Sequence, residues 1–543
     1  MTNSMAVRMA EPTVRTDWSG PVVPCPGNAF VVRVRLVDGR VDEAWSTGRM
    51  VRNMNVLLRG ELDDRGRPKF VSQPHCLCND GHALAAIRAV EDLADVVLPR
   101  SAILVRKLVQ SLRCMQEHLL HFYQFHLSDW VNREAALRAD PVKATRLSSL
   151  PGADADLFRT ARDWLHSMAT TASDASPGHV AQAPHAGPDE LHLMLQGHAL
   201  QAVRVGSSLQ TALELLGCNS KGFQAYRPGG LPDDMDLSPA LLTALHAELE
   251  NCREFVETVF PSDLVRLAKV HAPCTEQGRS RALLTWDDAN HGSLLLPDAN
   301  ATAWHRSTPV PEAVTEEAEP NWNDRDRHCY RLLRRRAEPS FHWSQARYFW
   351  LTAPRHGKTA CEVGPLARVM SSFAEADPTM GQFLKRMLDD CGLSLSAMNS
   401  TMGRVLSRGI ESSCLMRSIQ GLLDELEPVL ASGQGRSTKF TLPKSGIGTG
   451  RVEVPRGTLA HRIRWADGRI VSHEYLIPSL WNFSPRDSAG ERGPLEHALL
   501  GCAVANPNHP LEILRTLHQL DPCNACHVVI EDRDTGRTTL TTA

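Results

Sequence analysis

The chain of 543 residues has no apolar run near the ~20 residues that a membrane-spanning helix needs. Its opening stretch, Met1 to Trp18, is polar and has no apolar core of a secretory signal. There is no basic excess either. Lys and Arg number 59 against 62 Asp and Glu, a formal net charge of -3, which argues against a nucleic-acid binder. No internal repeat is visible, which excludes a solenoid. The 14 cysteines are scattered without the compact spacing of a disulfide framework. They read as reduced thiols in a reducing compartment, and the cytoplasm is the expected location.

What is present is a long chain able to bury a large core. Phe30 to Trp45 alternates apolar and polar residues around Asp38-Gly39, the pattern of a β-hairpin. Ala83 to Val97 reads as a helix. Ser101 to Trp130 carries Leu104, Leu108, Leu112, Met115, Leu119, Phe122 and His126 at three- and four-residue spacings, so it reads as one long, buried helix. Ser238 to Phe260 and Met402 to Leu426 are further helical stretches. Thr171 to Asp189 reads as a surface excursion, and residues 300–340 as irregular. Arg451 to Ile477 returns to strands around Asp467-Gly468. The expected fold is α+β, mainly α: a long-helix core with β-rich flanks at both ends.

Two clusters carry possible chemistry. Near the C-terminus stands Asp521-Pro522-Cys523-Asn524-Ala525-Cys526-His527. A C-x-x-C pair after Pro is a metal-ligand spacing and equally a redox dithiol. Near the N-terminus, His75, Cys76, Cys78 and His82 put four possible ligands in eight residues. Such types suit zinc, nickel or iron, while a lone Cys or His is more often a packed core residue. The clusters lie more than 440 residues apart, far outside a zinc-ribbon spacing, so a shared site would tie the chain ends together. A third constellation is Trp481 to Asp487, where Pro485 restricts Arg486; a surface salt bridge is the plainer alternative. Asp129 ends an apolar helix, where the dipole disfavours it. A specific partner is expected there, with Arg486 a candidate.

LVRKLVQSLRCMQEHLLHFYQFHLSDWV, WLTAPRHGKTACEVGPLARV, STMGRVLSRGIES, VEVPRGTLAH, IPSLWNFSPRD and PLEILRTLHQLDPCNAC together resemble, nearly end to end, the large subunit of nickel–iron hydrogenases. The first is similar to the family's long helix, the next four have close counterparts, and the last is similar to its C-terminal motif almost residue by residue. The resemblance implies one large-subunit-like domain over 1–543, with a β-rich flank about 26–75, a helical core about 80–430 and a C-terminal β flank with the cysteine motif about 440–543. It implies a nickel–iron centre, its iron carrying CO and cyanide. Cys78 and Cys526 would be the bridging thiolates and Cys523 a terminal nickel ligand. His82 would be the histidine hydrogen-bonded near a bridging sulfur. Pro485, Arg486, Asp129 and Asp521 would form the polar canopy.

The chain also departs from the family pattern. The position of the first motif cysteine is His75, its preceding Arg is Gln73, and Cys76 sits where the family has Gly. A one-residue slip would bring Cys76 into the ligand place but would turn it to the opposite face. The glutamate that shuttles protons is Pro26. Two side-chain ligands of a buried magnesium are Asn55 and Val529, so that site is expected to be lost as a unit. Val529 also replaces the histidine at which a maturation protease acts, so the tail Ile530 to Ala543 is expected to stay attached. Two functions follow from the resemblance. One is a non-catalytic relative that holds the Fe(CN)2CO fragment or docks hydrogenase maturation proteins during assembly. The other is a divergent, working H2-oxidising or H2-sensing subunit with a His/Cys3 nickel site, paired with an iron–sulfur small subunit. Enzymes of this type are often exported or membrane-associated through that partner.

Overall fold

The computed structural model describes residues 29–49, 60–62, 66, 68, 79–171, 186–219, 222–223, 226–286, 292–298, 304–309, 314–316, 353–433, 435–487, 489–523 and 526–542. The residues Pro24 to Asn28, Asn55, Gln73, His75, Cys76 and Cys78 therefore lie outside the described residues, as do most of the 171–189 and 300–340 stretches.

β1 (Ala29–Val37) and β2 (Arg40–Arg49) form the expected hairpin. Asp38 and Gly39 both take left-handed backbone (φ 51° and 67°), as the tight two-residue turn requires. α1 (Asn79–Leu93) follows, then α2 (Arg100–Leu119). The expected single long helix is interrupted: α2 passes into a π-helical turn, Leu120–Phe125, and a 3-10 turn, Leu127–Asp129. The extra residue per turn rotates His121 and His126 relative to α2, the kind of local re-aiming that π-turns provide.

α3 (Asp189–Leu215), α4 (Phe260–Val270), α5 (Pro365–Ala374) and α6 (Thr401–Ala431) pack with α2 around the large apolar core. α6 starts at Ser400, whose hydroxyl accepts from the Gly403 N–H at 2.9 Å, an N-cap. From Thr401 to Cys414 every residue of α6 is buried, Arg404, Arg408 and Glu411 included. The 300–340 stretch is not wholly irregular, for Trp304–Ser307 and Val314–Glu316 are short strands.

β3 (Ser445–Val454), β4 (Gly457–Ala466) and β5 (Arg469–Leu476) make a three-stranded antiparallel sheet in that order. α1 lies directly on it. A Cβ at Gly448 or Gly450 would overlap the Ala89 or Ala85 carbonyl of α1. This close approach sets the depth at which α1 holds His82. Gly450→Ala should therefore cost about 1–3 kcal/mol. A urea midpoint equal to the parent's would show that the helix can rise off the sheet without loss.

α7 (Pro478–Asn482) and α8 (Leu511–Gln519) lead to β6 (Cys526–Asp532) and β7 (Arg537–Thr542). The second sheet runs β7-β6-β1-β2, with β6 parallel to β1 and the other pairs antiparallel. Phe30, Val32 and Val34 of β1 and Cys526, Val528 and Ile530 of β6 face one apolar cluster under α7 and α8. The two ends of the chain are thus joined in one ladder. Among the described residues no helix is long and apolar enough to cross a membrane.

Candidate metal centre

Asp521 takes left-handed backbone (φ 54°) and turns the chain out of α8 into the cysteine segment. The Cys523 N–H donates to Ser479 Oγ of α7 at 3.1 Å, which fixes the start of that segment. Cys526 opens β6 opposite Phe30. Cys523 is half-buried and Cys526 buried. Burial first, and then the neighbouring Cys523, push the Cys526 thiol well above its ordinary range. A buried thiolate is unfavourable without a compensating cation. Two sulfurs placed this way fit a soft, positively charged metal, which would relieve that penalty. The other expected ligands, Cys78 with His75 or Cys76, fall outside the described residues.

Around Asp521 the structure builds a buried network of charges. Arg408 Nη2 meets Asp521 Oδ2 at 3.1 Å, and Arg456 Nε meets Oδ1 at 3.0 Å. Burial alone would raise the Asp521 carboxyl, but Arg456, His121 and Arg408 outweigh it and hold it far below the usual carboxylate range. Arg456 also binds Glu117 Oε2 at 2.6 Å. Glu117 stays above its ordinary value, because burial exceeds the pull of Arg456 and Arg113. It lines a cavity of about 20 Å³ together with Asp80, Arg113, Tyr226 and Glu453, space for about one water. Beyond Arg408, His118 Nδ1 is 3.2 Å from Nη1, and His118 Nε2 is 2.7 Å from Glu411 Oε2. Arg368 donates to both Glu411 oxygens, at 2.5 and 2.9 Å, and to Glu453 at 3.1 Å.

The other expected canopy residues are placed differently. Asp129 is buried, and its partner is His518, whose Nδ1 lies 2.6 Å from Oδ2; Arg486 is not that partner. Burial raises the Asp129 carboxyl, yet His518, His126 and Arg515 bring it below the ordinary range. Arg486 turns to the first hairpin, donating to Glu43 Oε2 at 2.6 Å and to the Ala44 carbonyl at 2.9 Å, over the Trp45 ring. The Pro485 carbonyl accepts from Arg355. His82 lies on α1 with Nδ1 2.8 Å from His461 Nε2. The reason Asp129 and Arg486 part company is positional: the π-turn aims Asp129 at α8, while α7 delivers Arg486 to β2.

Among the described residues, two groups of ligand-type atoms come within 4.8 Å of one another: Cys114, His118 and Glu411, and His126, Asp129 and His518. In the first, Arg368 binds Glu411 and comes within 3.9 Å of Cys114 Sγ, so an added cation would face a guanidinium. In the second, a short hydrogen bond joins Asp129 to His518, and the His126 ring stacks on His518 at 4.2 Å.

Glu117, Arg408, Glu411, Arg456 and Arg368 are site residues that periodicity did not single out. A signal was available. Arg404, Arg408 and Glu411 stand at i, i+4 and i+7, a charged stripe on the first half of α6, where the other residues from Thr401 to Cys414 are apolar or small.

The chain resembles known proteins over most of its length. The family model for nickel-dependent hydrogenases matches residues 52–529. The uptake hydrogenase large subunit of Rhodobacter capsulatus is 29% identical over 542 residues, covering 90% of each chain. The hydrogenase-2 large chain of Escherichia coli K12 is 28% identical over 545 residues, covering 92% of this chain and 94% of its own. Among solved structures, the oxidised nickel–iron–selenium hydrogenase of D. vulgaris Hildenborough superposes with a TM-score of 0.70 at 22% identity, covering 92% of this chain and 100% of that one. That last likeness concerns the fold.

Proposed function

The chain belongs to the nickel-dependent hydrogenase family, and from that premise we propose a large-subunit relative that carries a metal fragment during hydrogenase assembly rather than turning over H2. The observation behind this reading is the β6–β7 hairpin. Val529, at the family's processing position, sits inside β6 with Arg33 of β1 on one side and Leu540 of β7 on the other. Cutting there would require melting a ladder on both sides, so the tail is retained as part of the sheet. Cys78, Cys523 and Cys526, with His75 or Cys76, would hold an iron fragment bearing CO and cyanide. The magnesium site is absent because Asn55 and Val529 replace its side-chain ligands. The partners on this reading are hydrogenase maturation proteins, met in the cytoplasm.

A second reading has its own support. In the Asp521–Arg408–His118–Glu411 network each side chain is held by the next, the kind of rigid surrounding that a working centre needs. On that reading the chain is a divergent H2-oxidising or H2-sensing subunit with an iron–sulfur small subunit as partner.

The two readings part in one experiment on purified full-length protein. Infrared bands of iron-bound CO and cyanide, substoichiometric nickel and no H2-dependent dye reduction are expected. Near-stoichiometric nickel with H2-dependent dye reduction would overturn the carrier reading in favour of the second.

A further inference from the structure

Three imidazoles form a hydrogen-bonded row outside the charge network. His82 Nδ1 is 2.8 Å from His461 Nε2, and His461 Nδ1 is 2.7 Å from His473 Nε2. His461 and His473 are buried on the inner face of β4 and β5. Tyr475 packs against the first two rings, with centroids 6.1 and 6.0 Å away. The glycines of β3 that let α1 lie on the sheet bring His82 into this row.

Each neutral imidazole carries one N–H, and each hydrogen bond in the row takes one hydrogen between two nitrogens. If His461 Nε2 donates to His82 Nδ1, then His82 is protonated on Nε2. His461 Nδ1 is then an acceptor, and His473 must donate from its own Nε2. If His82 Nδ1 donates instead, every ring carries its hydrogen on Nδ1. Only these two sets, all-Nε2 or all-Nδ1, satisfy both hydrogen bonds. A mixed set puts two hydrogens or two lone pairs face to face in a buried site and is disfavoured on the order of tenfold or more per mismatch.

We propose that His82, His461 and His473 act as a coupled tautomer relay running from α1 through β4 to β5. Conversion of the all-Nε2 set to the all-Nδ1 set balances in protons. One leaves His82 Nε2 for water, one passes from His461 Nε2 to His82 Nδ1, one passes from His473 Nε2 to His461 Nδ1, and the buried His473 Nδ1 takes one up from water admitted when β5 opens locally. Burial, with His473 and His82 alongside, holds His461 well below the usual imidazole range, so the central ring stays neutral. Any group that claims the His82 Nε2 lone pair thereby changes the hydrogen on His473. That consequence rests on the metal-carrier reading; the coupling itself does not.

The test uses full-length, metal-free protein with nitrogen-15 histidine, the His82 signals being assigned from H82Q. In the parent, the three rings are expected to share one tautomer; a mixed set overturns the relay whether or not any variant folds. In H473F, the minor tautomer of His82 should rise by about tenfold, and H473Q, which keeps one hydrogen-bonding group, should restore the single form. Unchanged His82 signals in H473F overturn the proposal. So does a shift that H473Q fails to reverse, which would mark a packing effect. Zn²⁺ added to the parent should then move the His473 signals. Coupling without that response overturns the carrier reading and leaves the relay standing.

Discussion

Glu411→Gln is expected to destabilise the protein by about 3–5 kcal/mol near neutral pH, although the side chain keeps its shape. The expectation follows from what the charge holds. Glu411 is buried, accepts two hydrogen bonds from Arg368 and faces His118 Nε2 at 2.7 Å. Removing one partner of a buried ion pair leaves the other desolvated without compensation, which is where the large cost arises. Glu453, at 3.1 Å from Arg368 Nη1, offsets part of it. The effect should extend toward the cysteines, because His118 passes the disturbance to Arg408 and so to Asp521.

The same substitution has a pH signature with a definite sign. Burial raises the Glu411 carboxyl, but Arg368 and His118 outweigh it and bring it down to about 2. A folded value below the unfolded one adds stability that is present above the unfolded value and lost as pH falls through the folded one. The parent should therefore lose about 3 kcal/mol from this group between about pH 5 and pH 2. In Glu411→Gln that loss is gone. Asp521 is depressed in the same direction, so the acid limb of the variant should be shallower without being flat. Urea midpoints at intervals from pH 7 to pH 3 measure this. Parallel curves for parent and variant would show that the Glu411 charge is not coupled to folding.

Much of the fold was legible because it rests on local rules. The hairpins at Asp38-Gly39 and Asp467-Gly468 follow from two-residue turns needing left-handed backbone, and α2 and α6 follow from apolar spacing. The cysteine motif was legible as a ligand spacing. Its surroundings were less so. Asp129 was identified as needing a partner, yet the partner is His518 because a π-turn intervenes, and π-turns leave little trace in apolar spacing. Glu117 sits in a helix whose apolar stripe is plain, and there a charge reads as the solvent side. It is drawn largely out of solvent where Arg456, in the turn between β3 and β4 and more than 330 residues away, meets it. Pairings of that kind depend on tertiary position, which neither propensity nor periodicity encodes.

Truncation after Val529 tests the tail most directly, and the expected result is a loss of at least ~3–5 kcal/mol. A disordered extension could be removed at almost no cost. Here Ile530 is fully buried in the cluster formed by Phe30, Val32 and Val34, and removing such a side chain alone costs about 2–5 kcal/mol. The ladder adds to that. Ile530, Glu531 and Asp532 pair with Val34, Arg35 and Leu36 of β1, and β7 covers the other edge of β6 from His527 to Asp532. The Arg33–Glu531 ion pair goes as well. Without these contacts β6 becomes a short, exposed edge, and the stretch that holds Cys526 opposite Phe30 loses its outer support. Amide exchange should show this first as lost protection from Phe30 to Leu36, before any global unfolding. A truncated protein whose β1 amides stay protected and whose urea midpoint is unchanged would mean that the tail is dispensable. It would also remove the main support for a chain whose cysteine cradle keeps its extension.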